Sequence, residues 1–210
     1  MVDSKHENTS KNTSSEERIL EAARQVFQTK GLQGARMQEI ADKAEINKAM
    51  LHYYYRSKEL LFEAVFKEAA NRLFPKIVEL LNTEYPLFEK IEYFVDYYLT
   101  FLLENKYMPA FVLNELNQNP KRLVKLISEQ GAFKQYKFIE QINNAVKDKI
   151  IIPIDPRQLI TNIISMCIFP FAGRPILMGL FKLDDKSYYQ FIESRKKEIP
   201  KFIINAIKVK

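Results

Sequence analysis

Two short helical patterns separated by a tight turn occupy residues 36–58, which read RMQEIADKAEINKAMLHYYYRSK. The first places Met37, Ile40 and Ala41 at three- and four-residue spacing, and the second follows Asn47, a favourable N-cap residue. Two helices joined by a turn of a few residues form a helix-turn-helix, whose second helix can enter a major groove. This stretch constrains the fold most, because the remaining chain must hold such a pair in place.

The second helix of the pair has two chemically different sides. At about 100° per residue, Leu51 shares one side with Tyr54 and Tyr55. The side away from Leu51 and its flanks hold Lys48, Ala49, Met50, His52 and Tyr53. Lys, His and Tyr donate to phosphate oxygens and base edges, while Ala and Met suit close approach and thymine methyl groups. The alternatives are a packed aromatic core for the tyrosines and a partnerless surface histidine.

Charge alone does not identify a nucleic-acid partner. The chain of 210 residues carries a net charge of +6. Residues 15–60 contain eight basic and seven acidic residues, whereas residues 46–58 contain three basic residues and no acid. The prediction of DNA binding therefore rests on the arrangement of the two helices and not on charge. A non-specific DNA-coating or membrane-surface protein would need a stronger basic face.

Apolar residues recur at helical spacing along nearly the whole chain, which contains only 5 Gly and 9 Pro. We predict an all-α fold of about nine helices, with a long helix joining two domains. Residues 1–14 are predicted as a disordered polar tail or a DNA-touching arm, 15–62 as the DNA-binding domain, and 63–210 as a second helical domain. The helical segments are predicted at 15–30, 37–44, 48–55, 57–80, 87–104, 108–118, 120–148, 156–172, 176–181 and 186–208.

Several classes of protein are disfavoured by what the sequence contains. The only cysteine is Cys167, which excludes an intrachain disulfide and suits the cytoplasm. No membrane span or signal peptide is predicted. Two histidines and one cysteine do not predict a metal site, and we find no phosphate loop or nucleophile–base pair. We therefore expect neither an enzyme nor a cofactor.

Residues 19–62 resemble the DNA-binding domain of TetR-family transcriptional regulators. The resemblance rests on Ala22-Ala23 with Val26-Phe27 and Gly31, Ile40-Ala41, Ile46-Asn47-Lys48, Leu51-His52-Tyr53-Tyr54-Tyr55, and Ser57-Lys58-Glu59-Leu60. It implies DNA contacts by the start of the first helix of the pair and by the second helix, and phosphate contacts at Tyr54 and Lys58. The predicted DNA-binding residues are Arg36, Gln38, Asn47, Lys48, Ala49, Met50, His52, Tyr53, Tyr54 and Lys58. Leu51 and Tyr55 match core positions.

Two residues depart from the family pattern. Glu45 stands where the family usually has glycine in the turn, and a positive φ there would cost a non-glycine residue about 1 kcal/mol. Arg36 stands where a capping threonine is common, and arginine has no acceptor with which to cap. Both departures affect how the first helix of the pair is held.

The resemblance implies that the second domain encloses a small-molecule pocket and supplies a dimer interface. Polar residues among apolar ones and nearby aromatics are the predicted ligand contacts, namely Tyr97, Phe101, Phe111, Asn114, Glu115, Asn162 and Cys167. Apolar stripes on the last helices predict an interface of Leu159, Ile163, Phe191, Arg195, Ile199, Phe202 and Ile203. The alternatives are that the aromatics are plain core and that these stripes pack inside their own subunit.

The leading hypothesis is a homodimeric repressor that binds a near-palindromic DNA operator and is released by an apolar or aromatic small molecule. The alternative is a helical small-molecule-binding or enzymatic protein with a vestigial helix-turn-helix, favoured by Glu45. Operator binding, as opposed to substrate turnover, separates the two.

Overall fold

A computed structural model describes residues 4–118, 120–129 and 136–209, excluding the side chains of residues 4–14, 110, 111, 114, 115, 118 and 136. Eleven helices lie within these ranges, and the described residues contain no strand beyond one isolated antiparallel bridge, confirming the all-α prediction. The helices are α1 (Ser4–Gly34), α2 (Met37–Lys43), α3 (Lys48–Tyr54), α4 (Lys58–Leu81), α5 (Leu87–Glu104), α6 (Met108–Gln118), α7 (Pro120–Glu129), α8 (Tyr136–Lys147), α9 (Pro156–Ala172), α10 (Arg174–Phe181) and α11 (Asp185–Ile207).

The chain forms two compact units, Met1–Ala69 and Ala70–Lys210. The core of the first unit is built from the apolar positions of α1 to α4, which recur at helical spacing. Its buried side chains include Ile19, Ala23, Val26, Phe27, Ile40, Ala41, Leu51, Leu61, Phe62, Val65, Phe66 and Ala69. The rings of Phe27 and Phe62 meet edge to face at 4.5 Å, which joins α1 to α4.

The second unit is organised around α5, which packs against α8, α9 and α11. Its core includes Ile91, Val95, Leu99, Ile142, Leu159, Ile163, Cys167, Tyr188, Ile192, Ile199 and Ile203. The Tyr188 hydroxyl donates to the Pro170 carbonyl at 3.0 Å, which ties the start of α11 to the end of α9. An antiparallel bridge between Ile151 and Lys208 holds the end of α11 beside the α8–α9 connection.

Most predicted helices lie where the apolar spacing placed them, with one correction. Helix α1 begins at Ser4 and not at Ser15, so it includes most of the predicted tail, which has no glycine or proline to interrupt a helix. Helices α7 and α8 lie within the single helix predicted over 120–148, and residues 130–135 between them lie outside the described residues. The DNA-binding domain predicted over 15–62 lies within the first unit, which ends at Ala69.

Prolines inside three helices leave these helices continuous. They are Pro75 in α4, Pro170 in α9 and Pro200 in α11. Among the described residues, no single helix is long and apolar enough to cross a membrane. Helices α9 and α10 taken together do reach that length and composition, although the pair is bent by 74°.

Candidate nucleic-acid interface

The turn between α2 and α3 closes with the hydrogen bonds of a Schellman motif. The Ile46 N–H donates to the Ala41 carbonyl at 3.0 Å, and the Glu45 N–H donates to the Asp42 carbonyl at 3.1 Å. This arrangement requires a left-handed residue before the last donor, and Glu45 has a φ of 55°. The expected strain at Glu45 is therefore present, and the glutamate has not prevented the turn from closing.

Asn47 begins α3 by capping it, as its position predicts. Its backbone is extended, and its side-chain oxygen accepts from the Met50 N–H at 2.7 Å. Leu51 is completely buried and fixes the inner side of this seven-residue helix. The burial of Leu51 and the Asn47 cap thus both help to fix which side of α3 faces inward.

The opposite side of α3 faces solvent. Lys48, Ala49 and His52 are exposed, and Tyr53 is 81% exposed, while Met50 and Tyr54 are half-buried. The Tyr53 and Tyr54 rings meet edge to face at 5.7 Å. Such a face offers an ammonium, an imidazole and a phenol beside a small residue, the donors and close approach that base edges and phosphates require.

The start of α2 is exposed and lacks a side-chain cap. Arg36 occupies the N-cap position with extended backbone angles and makes no capping hydrogen bond. Gln38 is exposed and donates to the Asp42 carboxylate at 2.7 Å. Both predicted contact residues are accessible, although Gln38 would have to leave Asp42 to contact a base.

Lys58, predicted as a phosphate contact, is half-buried at the start of α4. Its ammonium donates to the carbonyls of Ala35 and Gln33, at 3.2 and 3.4 Å. Ser57 caps the same helix by accepting from the Leu60 N–H at 3.2 Å. The structure thus connects Lys58 to the segment that precedes α2, a contact that sequence spacing did not predict.

Polar contacts between distant residues hold the frame around the helix pair. The Tyr55 hydroxyl donates to the Glu16 carboxylate at 3.0 Å, joining the end of α3 to α1. Burial raises the pKa of Tyr55, and the neighbouring Glu16 raises it further. The Arg24 guanidinium pairs with Glu68 at 2.6 Å, linking α1 to α4. These pairs are 39 and 44 residues apart in sequence, so no local pattern identifies them.

The predicted ligand residues differ in how far their side chains are buried. Phe101 and Cys167 are buried, and burial raises the pKa of the Cys167 thiol to about 12. Tyr97 is half-buried and Asn162 is exposed, and both stay predicted ligand contacts. Positions 163 and 167 form the inner face of α9, and Asn162 lies about 100° away from it. The side chains of Phe111, Asn114 and Glu115 lie outside the described residues.

Four residues of the predicted dimer interface belong to the core of their own subunit. Leu159, Ile163, Ile199 and Ile203 are each at most 3% exposed in the isolated chain. These apolar stripes pack inward, because α5 and the α9–α11 contact already cover them. Phe191 and Arg195 are half-buried, and Phe202 is 63% exposed. Of the seven, Phe202 is the most accessible to a partner.

A family model described as bacterial regulatory proteins, tetR family, matches residues 19–65, which span α2, α3 and their supports. The repressor NicS of Pseudomonas putida is 35% identical over 85 residues, covering 39% of this chain and 40% of that protein. The repressor KstR2 of Mycolicibacterium smegmatis is 30% identical over 73 residues, covering 35% and 36%. The chain thus matches about 40% of the length of these curated relatives.

The similarity to solved structures extends over both units. The crystal structure of HlyIIR, a hemolysin II transcriptional regulator, aligns with 93% of this chain and 98% of its own. Its sequence is 25% identical, and the TM-score is 0.61.

Proposed function

Because this chain belongs to the TetR family of transcriptional regulators, we propose that it is a homodimeric repressor whose α3 reads a near-palindromic DNA operator. The family assignment rests on the match over residues 19–65 together with the whole-chain likeness to HlyIIR. NicS and KstR2 are named as repressors, which supports repression over activation. The operator, the dimer and the effector are parts of the proposal.

The observation that carries the proposal is the division of α3 into a buried and a presented face. Leu51 is 0% exposed and Tyr53 is 81% exposed, although they are only two residues apart. A tyrosine left in solvent on a short helix contributes little to the fold, whereas it supplies a large, partly polar contact surface for a groove. This presented, partly polar face supports DNA reading by α3 over a vestigial helix-turn-helix.

We propose that two copies associate through the outer faces of α9 and α11. Phe169 on α9 is 55% exposed and Phe202 on α11 is 63% exposed, and polar residues accompany them on each helix. A two-fold dimer would present two copies of α3 about one helical turn of DNA, or about 34 Å, apart. The half-sites of the operator would be related by the same symmetry.

The second unit is proposed to bind an apolar or aromatic small molecule that releases the operator. Helical bundles hold such ligands between facing helices, and α5, α6 and α9 pack together here. Release requires that the ligand bind one state of the dimer more tightly than the other. Tyr97, Phe101, Asn162 and Cys167 remain the described candidates on these helices.

The proposal is tested by fluorescence anisotropy with duplexes from the DNA upstream of the gene encoding this protein. We expect one duplex to bind at least about a thousandfold more tightly than unrelated DNA at physiological salt. Tyr53→Ala should weaken that binding by about 1–3 kcal/mol while changing binding to unrelated DNA far less. Tyr85→Ala is a matched control, because Tyr85 is 47% exposed but lies outside the first unit. Equal affinity for every duplex would contradict the proposal.

A further inference from the structure

Tyr98 is a half-buried residue in the middle of the inner face of α5. At about 100° per residue, its neighbours on that face are the residues three and four positions away. These neighbours, Phe94, Val95, Phe101 and Leu102, are each at most 8% exposed. The accessible surface of Tyr98 therefore does not lie on the outer side of α5. It borders a space between this helix and the helices packed against it.

The surroundings of the Tyr98 phenol agree with an enclosed space. Burial raises the pKa of Tyr98, so bulk water does not surround its hydroxyl. The Cys167 thiol of α9, which is completely buried, raises the pKa of Tyr98 further. Since α5 and α9 pack against each other, the phenol lies on the side of α5 that faces α9.

The hydroxyl of Tyr98 makes no hydrogen bond within the described residues, although its ring meets that of Phe94 at 5.5 Å. By contrast, the hydroxyls of Tyr97, Tyr107 and Tyr188 in the same unit each donate to an oxygen of the chain. A buried tyrosine usually pairs its hydroxyl, because leaving a buried donor unpaired costs free energy. A bound molecule that accepted from Tyr98 would remove this cost.

The charges around Tyr98 favour a neutral acceptor over an anion. Among the residues that the structure describes, no ammonium or guanidinium is close enough to lower the pKa of the phenol. The charge of Arg195 acts on Cys167 but not on Tyr98. A carboxylate beside the phenol would be buried without a countercharge, which is costly, whereas a ketone, ester or amide carbonyl carries no such cost.

We propose that Tyr98 is the polar contact of an effector site in the second unit, and that the effector is a mostly apolar molecule with one neutral carbonyl group. The Tyr98 hydroxyl donates to that carbonyl, while Phe94 and Phe101 contact the apolar part. This inference rests on the proposed binding of an effector by the second unit. It narrows the effector from any apolar or aromatic molecule to one that accepts a hydrogen bond.

The test uses prodan, a naphthalene ketone whose emission moves to longer wavelength when its carbonyl accepts a hydrogen bond. It is titrated with the full-length protein without DNA, and we expect saturable binding to the wild type. Tyr98→Phe keeps the ring and removes only the hydroxyl. It should weaken prodan binding about two- to tenfold and move the bound emission to shorter wavelength. Tyr93→Phe, at a residue that is 49% exposed on the outer side of α5, should change neither.

Two related probes separate the hydrogen bond from the shape and charge of the site. Dimethylaminonaphthalene, which lacks the ketone, should bind the wild type and Tyr98→Phe with the same affinity. The corresponding naphthalene carboxylate should bind the wild type at least about tenfold more weakly than prodan does.

The inference is overturned if prodan shows no saturable binding, or if Tyr98→Phe leaves its affinity and emission unchanged. Weaker binding of dimethylaminonaphthalene to Tyr98→Phe would show that the substitution damages the site, and it would overturn the hydrogen-bonding role. Tighter binding of the carboxylate than of prodan would overturn the neutral class. None of these measurements uses DNA, so their failure is distinguishable from a failure of operator binding by α3.

Discussion

At the scale of single residues, three helices end at a left-handed residue that is not glycine. Glu45, Lys149 and Lys182 have φ values of 55°, 57° and 53°. Each precedes an N–H that reaches back five residues, from Ile46 to Ala41, from Ile150 to Ala145 and from Leu183 to Met178. The backbone conformation is therefore imposed by helix termination and not by the identity of the residue.

Glu45→Gly should stabilise the first unit by about 0.5–1 kcal/mol, because glycine adopts this conformation without a Cβ clash. The side chain of Glu45 is exposed and makes no hydrogen bond within the described residues, and glycine keeps the backbone N–H, so little is lost on substitution. The free energy of unfolding from urea denaturation measures the effect. Lys43→Gly, two residues earlier in helical backbone, should instead destabilise by about 1 kcal/mol. Destabilisation by both glycines would contradict the strain at Glu45.

At the scale of elements, a side chain of α11 donates a hydrogen bond to a carbonyl of α9 that lacks its helical donor. Pro170 has no N–H, so the carbonyl of Met166, four residues earlier, lacks its helical donor. Arg195 of α11 donates its Nη2 to that carbonyl at 2.8 Å. The half-buried guanidinium, predicted as part of a dimer interface, therefore completes the hydrogen bonding of a neighbouring helix within its own unit.

A double-mutant cycle measures how far Arg195 replaces the N–H that Pro170 lacks. Arg195→Met should destabilise the second unit by about 1–3 kcal/mol, because it leaves the Met166 carbonyl without a donor. In a Pro170→Ala background, the new N–H at position 170 can serve that carbonyl, so the same change should cost at least about 1 kcal/mol less. Packing against Phe191 is lost in both backgrounds and cancels. Equal costs in both backgrounds would show that the arginine acts by packing alone.

At the scale of the whole molecule, the isolated chain leaves apolar surface uncovered on its last helices. Phe169, Ile176, Leu180, Phe181 and Phe202 are each more than half exposed. Large contiguous apolar patches mark interaction surfaces, whereas single exposed apolar residues are ordinary. The position of these exposed residues on α9 to α11 supports the proposed dimer.

Phe202→Glu should convert the proposed dimer to a monomer, because a carboxylate cannot be buried there without a partner. Sedimentation velocity measures the mass at micromolar concentration. Val124→Glu is the matched control, since Val124 on α7 is 54% exposed and should tolerate the charge. A wild-type monomer, or a Phe202→Glu variant that remains dimeric, would contradict the proposed interface.

The helix pair shows how far the sequence was informative. The period of 3.6 residues predicted that Leu51 is buried, and Asn47 was identified as a cap from its residue type alone. Both depend on neighbours within one turn, which the linear order of residues specifies. The resemblance to the TetR family identified Glu45 as the strained position, because the family usually has glycine there, and its φ of 55° agrees.

The spacing of apolar residues did not show whether the apolar faces of α9 and α11 point toward the core or toward a partner subunit. The pattern of Leu159, Ile163, Ile199 and Ile203 indicates one apolar face per helix, but a partner subunit and α5 are equally suitable covers for it. Which surface covers an apolar face depends on residues distant in sequence. The hydrogen-bond partners of Lys58 likewise depend on distant residues, because its two carbonyl acceptors precede it by 23 and 25 residues.

Local sequence thus sufficed for most helices, the Asn47 cap and the two faces of α3, because each depends on backbone geometry within a few residues. Packing between distant segments assigned Lys58 to the carbonyls before α2, Arg195 to the carbonyl left free by Pro170, and the apolar stripes to the core. A polar side chain can bond to any of several acceptors, and an apolar stripe can be covered by any of several surfaces. The folded chain selects among them by which acceptors and surfaces it brings within reach.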